Sequence, residues 1–247
     1  MGYIEYDSAN QRSADAIIGT KEYRLALRPK VNYRPRWLIR TTDWKKVLGV
    51  EARNGYCVFS YCWSQSGETI LQTDENGHIK PYTTGNIKNY IDRGRHKLTK
   101  VSKEPRKAKN LFQTHKKTIE IDATYEQFLQ QLCKDFQIHY LWYDKVCIDQ
   151  INEREKLANI KELYRIYGNA NYLVAFVPEM KVRSPEDFDQ VHEEHGSNAR
   201  RIALGALYKS QWFGHSWTLM ELMVSKHVLM VGRDLHFWQY HFNTTQL

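Results

Sequence analysis

The sequence predicts an α/β protein with a mostly parallel central sheet and helices packed on its faces. Three observations lead there. Four β-prone apolar runs of strand length recur along the chain: GYCVFSYCW at 55–63, IHYLWYDKVCI at 138–148, NYLVAFVP at 171–178 and KHVLMVG at 226–232. Segments of ten or more residues with helical spacing separate them, and strand–helix–strand order is met most simply by parallel strands covered by helices. The composition, 42% hydrophobic and 26% charged over 247 residues, is that of a globular protein long enough for one large α/β domain or two small ones.

The elements follow in order. Residues 1–34 carry little periodicity and read as a mobile or peripheral N-terminal arm, which leaves 35–247 as the main domain. PRWLIRTTDWKKVLGV supplies a short strand, RWLIRT, and a turn. Gly55 opens the first buried strand, and the polar turn SQSGE closes it. Residues 65–118 are polar and resist assignment. In TYEQ, Thr124 and Gln127 have the spacing of a capping box, and Tyr125, Phe128, Leu129, Leu132 and Phe136 continue at helical spacing. A strand ending in a polar loop, DKVCIDQ, comes next. EREKLANIKELYRIYGNA is a helix with Leu157, Ile160, Leu163, Tyr164 and Tyr167 on one stripe and Gly168 near its end. NYLVAFVP stops at Pro178. SPEDFDQVHEE, SNARRIALGALYKSQWF and SWTLMELMVS read as helices, and KHVLMVG as the last strand. The ending HFNTTQL has no clear terminating element, which leaves open whether the chain is a fragment of a larger protein.

Composition also excludes classes of function. No stretch approaches the roughly 18 apolar residues of a membrane span, and the N-terminus lacks a basic and then apolar leader, so a cytoplasmic location is expected. Cys57, Cys62, Cys133 and Cys147 show no CxxC spacing, which points to a reducing compartment and no zinc site. HEEH at 192–195 lacks a third ligand and reads as a surface charge cluster. The net charge of +8 is matched by residues 89–117 alone, where ten Lys and Arg face Asp92 and Glu104. Without interleaved aromatics for base stacking, this basic insertion reads as a solvated loop, and no specific nucleic-acid partner is expected. GxGxxG, the P-loop and the GxSxG elbow are all missing, and Cys147 follows a buried run.

Two carboxylates stand out. Asp144 follows LWY at the polar end of a strand, where ligands collect in such sheets and where a carboxylate also caps helices. Glu221 is the lone charge in SWTLMEL. With Ser216 as cap, it shares a helix face with Trp217 and Val224, and leaving water there costs several kcal/mol unless a partner compensates. Two readings stand: a salt bridge to a buried Arg or Lys, or a functional carboxylate.

Taken together, SYCW at 60–63, LWYDKVCIDQ at 141–150, IYGNANYLVAF at 166–176 and WFGHSWTLMELM at 212–223 resemble, in order and spacing, the blocks of the fungal heterokaryon-incompatibility (HET) domain. His215 stands where that family usually has Arg, and Met220 where it has Gln. An anion contact at 215 then needs a protonated imidazole. HET domains are in turn distantly similar to Toll/interleukin-1 receptor (TIR) domains, with a flavodoxin-like sheet, and SWTLMEL resembles the plant TIR pattern SxWCLxEL. The resemblance implies a TIR-like fold and cleavage of NAD⁺, as substrate with no cofactor required, in a cell-death response. It implies Glu221 as the catalytic residue. It also implies Ser60, Tyr61, Trp63, Asp144, Trp217 and His215 as NAD⁺ contacts, with Trp63 or Trp217 stacking on a base and Ser60 and SQSGE meeting phosphates. Self-association that completes the site, and an upstream activating domain or protein, are implied partners. A non-enzymatic homotypic signalling module is the rival reading, and a nucleic-acid or anionic-membrane contact through 89–117 is the third.

Overall fold

The computed structural model describes residues 5–7, 11–27, 33–63, 71–81, 96–105, 114–180, 205–233 and 236–240. The N-terminal part contributes strand β1 (Glu5–Asp7), helices α1 (Gln11–Ile18) and α2 (Lys21–Ala26), and strands β2 (Trp37–Arg40), β3 (Lys45–Leu48) and β4 (Cys57–Ser60). Four more strands follow: β5 (Leu71–Thr73), β6 (Ile79–Pro81), β7 (His96–Pro105) and β8 (Thr114–Ala123). Then come α3 (Tyr125–Asp135), β9 (Tyr140–Trp142), α4 (Asp144–Cys147), α5 (Glu153–Asn169) and β10 (Leu173–Phe176). The last elements are α6 (Ser216–Val224), β11 (His227–Val231) and β12 (His236–Tyr240).

Seven strands form the central sheet in the order β12-β11-β10-β4-β9-β2-β3. Its inner four are parallel, with Leu173 opposite both Val228 and Val58, and Cys57 opposite Leu141. Strands β12, β2 and β3 add antiparallel edges. Every residue of β4 and β10 is buried, which explains why both read as continuous apolar runs: strands covered on both faces have no polar side to alternate.

The chain leaves β4 for β9 in one direction and returns past β4 to β10 and β11 in the other. Right-handed crossovers therefore put α3 on one face and α5 with α6 on the opposite face. The packing agrees. Phe128 of α3 meets Phe176 at 4.4 Å between ring centroids. On the other face Tyr167 of α5 lies 5.6 Å from Trp142 and hydrogen-bonds to α6. The capping box at the start of α3 is present, and its expected apolar stripe is buried.

Several expectations need correction. The N-terminal arm is built into the core: β1 pairs with β7, Tyr6 donates to Asp135, and the buried Tyr23 donates to the Phe136 carbonyl. Much of the basic segment is not a loop but lies in the ten-residue strands β7 and β8, a register in which Lys97 pairs with Glu120 and Asp122. Leu157 and Tyr164 of α5 are exposed, and the helix buries only Ile166 and Tyr167, because it meets the sheet through its last turns alone. The helix expected through 213 ends at Tyr208, since residues 209–214 turn to carry Trp212 into the core. The stretch DKVC is a buried turn of helix rather than an open polar loop. SQSGE, SPEDFDQVHEE and HEEH lie outside the described residues.

Candidate functional site

Strand alternation sends Phe59 toward α3 and Ser60, the last residue of the central strand β4, toward α6. There the buried Trp212 donates its indole N–H to Ser60 Oγ at 2.8 Å. A serine hydroxyl has one proton to give, so with Oγ already accepting, Ser60 gives that proton to Glu221 Oε2. Tyr167 donates to the other oxygen, Oε1, at 2.9 Å. Glu221 thus accepts one hydrogen bond on each oxygen, at the carboxyl end of the parallel strands. The salt-bridge reading of this carboxylate is not what the structure shows: its partners are two hydroxyls.

The helix that carries Glu221 is capped differently from expectation. His215, not Ser216, occupies the N-cap position and makes no side-chain cap. Thr218 instead turns its hydroxyl back onto the Trp212 and His215 carbonyls, which ties α6 to the Trp212 turn. Thr218 and Leu222 are the buried stripe, and Glu221 sits at its border, partly buried.

A second carboxylate lies at the end of the neighbouring strand β9. Asp144 accepts from the Tyr61 hydroxyl at 2.7 Å, the Trp63 indole at 2.8 Å and the Lys145 amide at 2.7 Å. The buried Lys145 places its ammonium 5.2 Å from the Trp63 ring, a cation–π distance. Loss of water pushes the Glu221 carboxyl up to about 8, with the two hydroxyl donors opposing and the Asp144 charge adding to the rise. Asp144 is also raised by burial, against the pull of Tyr61, Trp63 and the Lys145 amide. Burial and the adjacent Glu221 charge hold Tyr167 protonated, as a donor. Two neighbouring carboxylates, both raised by burial and both held by named hydrogen-bond donors, make this a candidate functional site.

The model of the family described as heterokaryon incompatibility protein (HET) matches residues 56–228. The chain belongs to the HET family. No curated protein and no solved structure matches it. Membership implies a role in heterokaryon incompatibility. Among the described residues, no helix of this HET domain is long and apolar enough to cross a membrane.

Of the seven site residues expected from sequence, five fall into the two clusters: Ser60 with Glu221, and Tyr61 and Trp63 with Asp144. His215 meets a different partner: its Nε2 lies 3.0 Å from Cys62 Sγ. Trp217 is 59% exposed and makes no ring contact or hydrogen bond among the described residues. The sequence reading missed Tyr167 and Trp212 as partners of the site. Tyr167 reads as one more apolar position of α5, although the phenol in that stripe signals a buried hydroxyl that needs a partner. Trp212 carries the same signal in its indole N–H.

Proposed function

We propose that this HET domain is a TIR-like NAD⁺ glycohydrolase with Glu221 as its catalytic residue. The observation that carries the reading is Glu221 itself: a carboxylate with both oxygens aligned by Ser60 and Tyr167, at the carboxyl end of the central strand. The inner strands run in the order fourth, third, first, second along the chain. This order supports the TIR-like reading, because in flavodoxin-like sheets the first four strands follow it and ligands bind beyond the strand ends where the winding reverses, here between β4 and β10. Ser60 ends β4, so the order supports a ligand site beside Glu221.

In this mechanism the C1′–N bond breaks and its electron pair stays with the nicotinamide nitrogen. The ring that entered as a cation leaves neutral, so no general acid is needed. The ribosyl cation left behind is stabilised by the Glu221 carboxylate, which also accepts from ribose hydroxyls. Water then adds at C1′ and releases a proton, giving nicotinamide and ADP-ribose. The cationic ring of NAD⁺ favours the ionised form of Glu221, opposing the desolvation that raises it. Trp63 and Asp144, hydrogen-bonded to each other, are the proposed contacts for the nucleotide, and the Asp144 charge already acts on Glu221.

Self-association belongs to the same reading, and the exposed Trp217 and Met223 of α6 with Leu157 and Tyr164 of α5 supply apolar surface for it. The same surface supports the rival, a contact module without catalysis. Chromatography of NAD⁺ incubated with the protein over a range of protein concentrations separates the two. Nicotinamide release is expected to rise more than proportionally with protein and to fall by about a hundredfold or more in Glu221→Gln. Release that is equal in a folded Glu221→Gln protein removes Glu221 from the chemistry, and association without release leaves the contact module.

A further inference from the structure

The Ser60 hydroxyl has two partners, and their order is not free. Trp212 is fully buried and its indole nitrogen can only donate, so Ser60 Oγ accepts from it at 2.8 Å. The one proton on Oγ goes to Glu221 Oε2. Phosphate oxygens only accept, which leaves Ser60 no proton to offer them. The phosphate contact that the family resemblance implies for Ser60 is thus closed by its own neighbours. Tyr167 is in the same position, its phenol proton committed to Glu221 Oε1 at 2.9 Å.

Trp212 is itself held on both sides. Its carbonyl accepts from the Thr218 hydroxyl in the first turn of α6, so one residue grips β4 through its indole and α6 through its backbone. The turn that carries it is closed by the buried Ser210, whose hydroxyl donates to the Leu207 carbonyl at 2.6 Å and accepts from the Phe213 amide at 3.1 Å. The His215 amide returns to the Trp212 carbonyl at 3.3 Å. A serine hydroxyl turns to suit its surroundings. Against an indole fixed in this way, it turns its proton to the carboxylate.

We infer that Trp212 is a positioning residue of the Glu221 site, which acts through Ser60 by fixing the direction of its proton, and that Ser60 serves the carboxylate and not the substrate. The inference deepens the NAD⁺ glycohydrolase reading and rests on it for the catalytic consequence alone. Among the described residues, the titratable groups that act on Glu221 are Tyr167 of α5, which donates, and Asp144 of α4, whose charge opposes ionisation.

Carbon-13 NMR of glutamate-labelled protein follows the Glu221 carboxyl, assigned by its loss in Glu221→Gln. Both hydroxyl donors favour the ionised form, so the midpoint at about 8 should rise by about one pH unit in Ser60→Ala and in Tyr167→Phe. Trp212→Phe keeps a ring in the core, removes the N–H and should raise the midpoint by less. In a Ser60→Ala background it should add nothing, whereas in a Tyr167→Phe background its effect should be undiminished. An equal effect in both backgrounds is the mark of a merely structural role and overturns the inference, as does an unmoved midpoint in Ser60→Ala.

The Trp212 indole proton gives a second reading that needs no change at 212. Its resonance should follow the Glu221 titration in wild type and cease to follow it in Ser60→Ala; a resonance indifferent to that titration also overturns the relay. In nicotinamide release, Ser60→Ala should lower kcat about tenfold at nearly constant KM, and a raised KM with kcat kept would make Ser60 a substrate contact. The titrations require no turnover. Absence of release from wild type would therefore count against the glycohydrolase reading while the relay was still judged by NMR.

Discussion

Glu221 is a carboxylate carried inward on α6 and left with hydroxyl partners instead of a cation. This has a consequence for stability. The folded carboxyl titrates at about 8 against an ordinary value of 4.5, so between those two pH values the folded state holds a proton that the unfolded chain has released. Stability must therefore fall as pH rises through that window and level off above it. Asp144 is shifted in the same direction and contributes a slope of its own. Glu221→Gln removes only the first contribution, so the variant should gain stability relative to wild type with every step from pH 5 to pH 8. Urea unfolding across that range checks it, and a constant difference would mean that Glu221 is ionised throughout. Glu221 was legible in SWTLMEL because one charge in an apolar helix stands out. Its partners were not, because Ser60 is 161 residues away along the chain and Tyr167 is 54.

At the scale of elements, local signals were read well where the chain itself supplies both partners. The α3 capping box is such a case: the Thr124 hydroxyl accepts from the Gln127 amide at 3.2 Å, and the Gln127 side chain accepts from the Thr124 amide at 3.0 Å. Thr124→Ala should lower stability by about 1 kcal/mol without touching the site, as read from thermal or denaturant melts. A change below a few tenths would mean that water replaces the cap at no cost. Helix α5 shows the limit of such reading. Its five-residue apolar stripe is an accurate description of the sequence, yet Leu157 and Tyr164 are exposed because no other described element covers that length of helix. The strands β7 and β8 were hidden for another reason. HKLTKVSKEP and THKKTIEIDA are rich in charged and hydroxyl residues, which leaves little apolar alternation to read.

At the scale of the molecule, Leu157 and Tyr164 of α5 and Trp217, Leu219 and Met223 of α6 are the exposed apolar residues, among those described, that lie on the face of the sheet carrying Glu221. The proposed self-association should appear in sedimentation as concentration-dependent growth and be reduced in a Leu157→Glu, Met223→Glu double variant. A monomer at all concentrations would separate any catalysis from assembly. The sequence by itself determined the parallel core of the sheet, the α3 helix, the family blocks and the odd carboxylate. Each of these is written in contiguous residues, where spacing alone decides which face is apolar. Only the tertiary structure decided that the N-terminal segment belongs to the core, that Glu221 answers to Ser60 and Tyr167, and that the Trp212 indole meets Ser60. Those facts depend on where separate segments meet, and packing between distant segments leaves no period in the chain to be read.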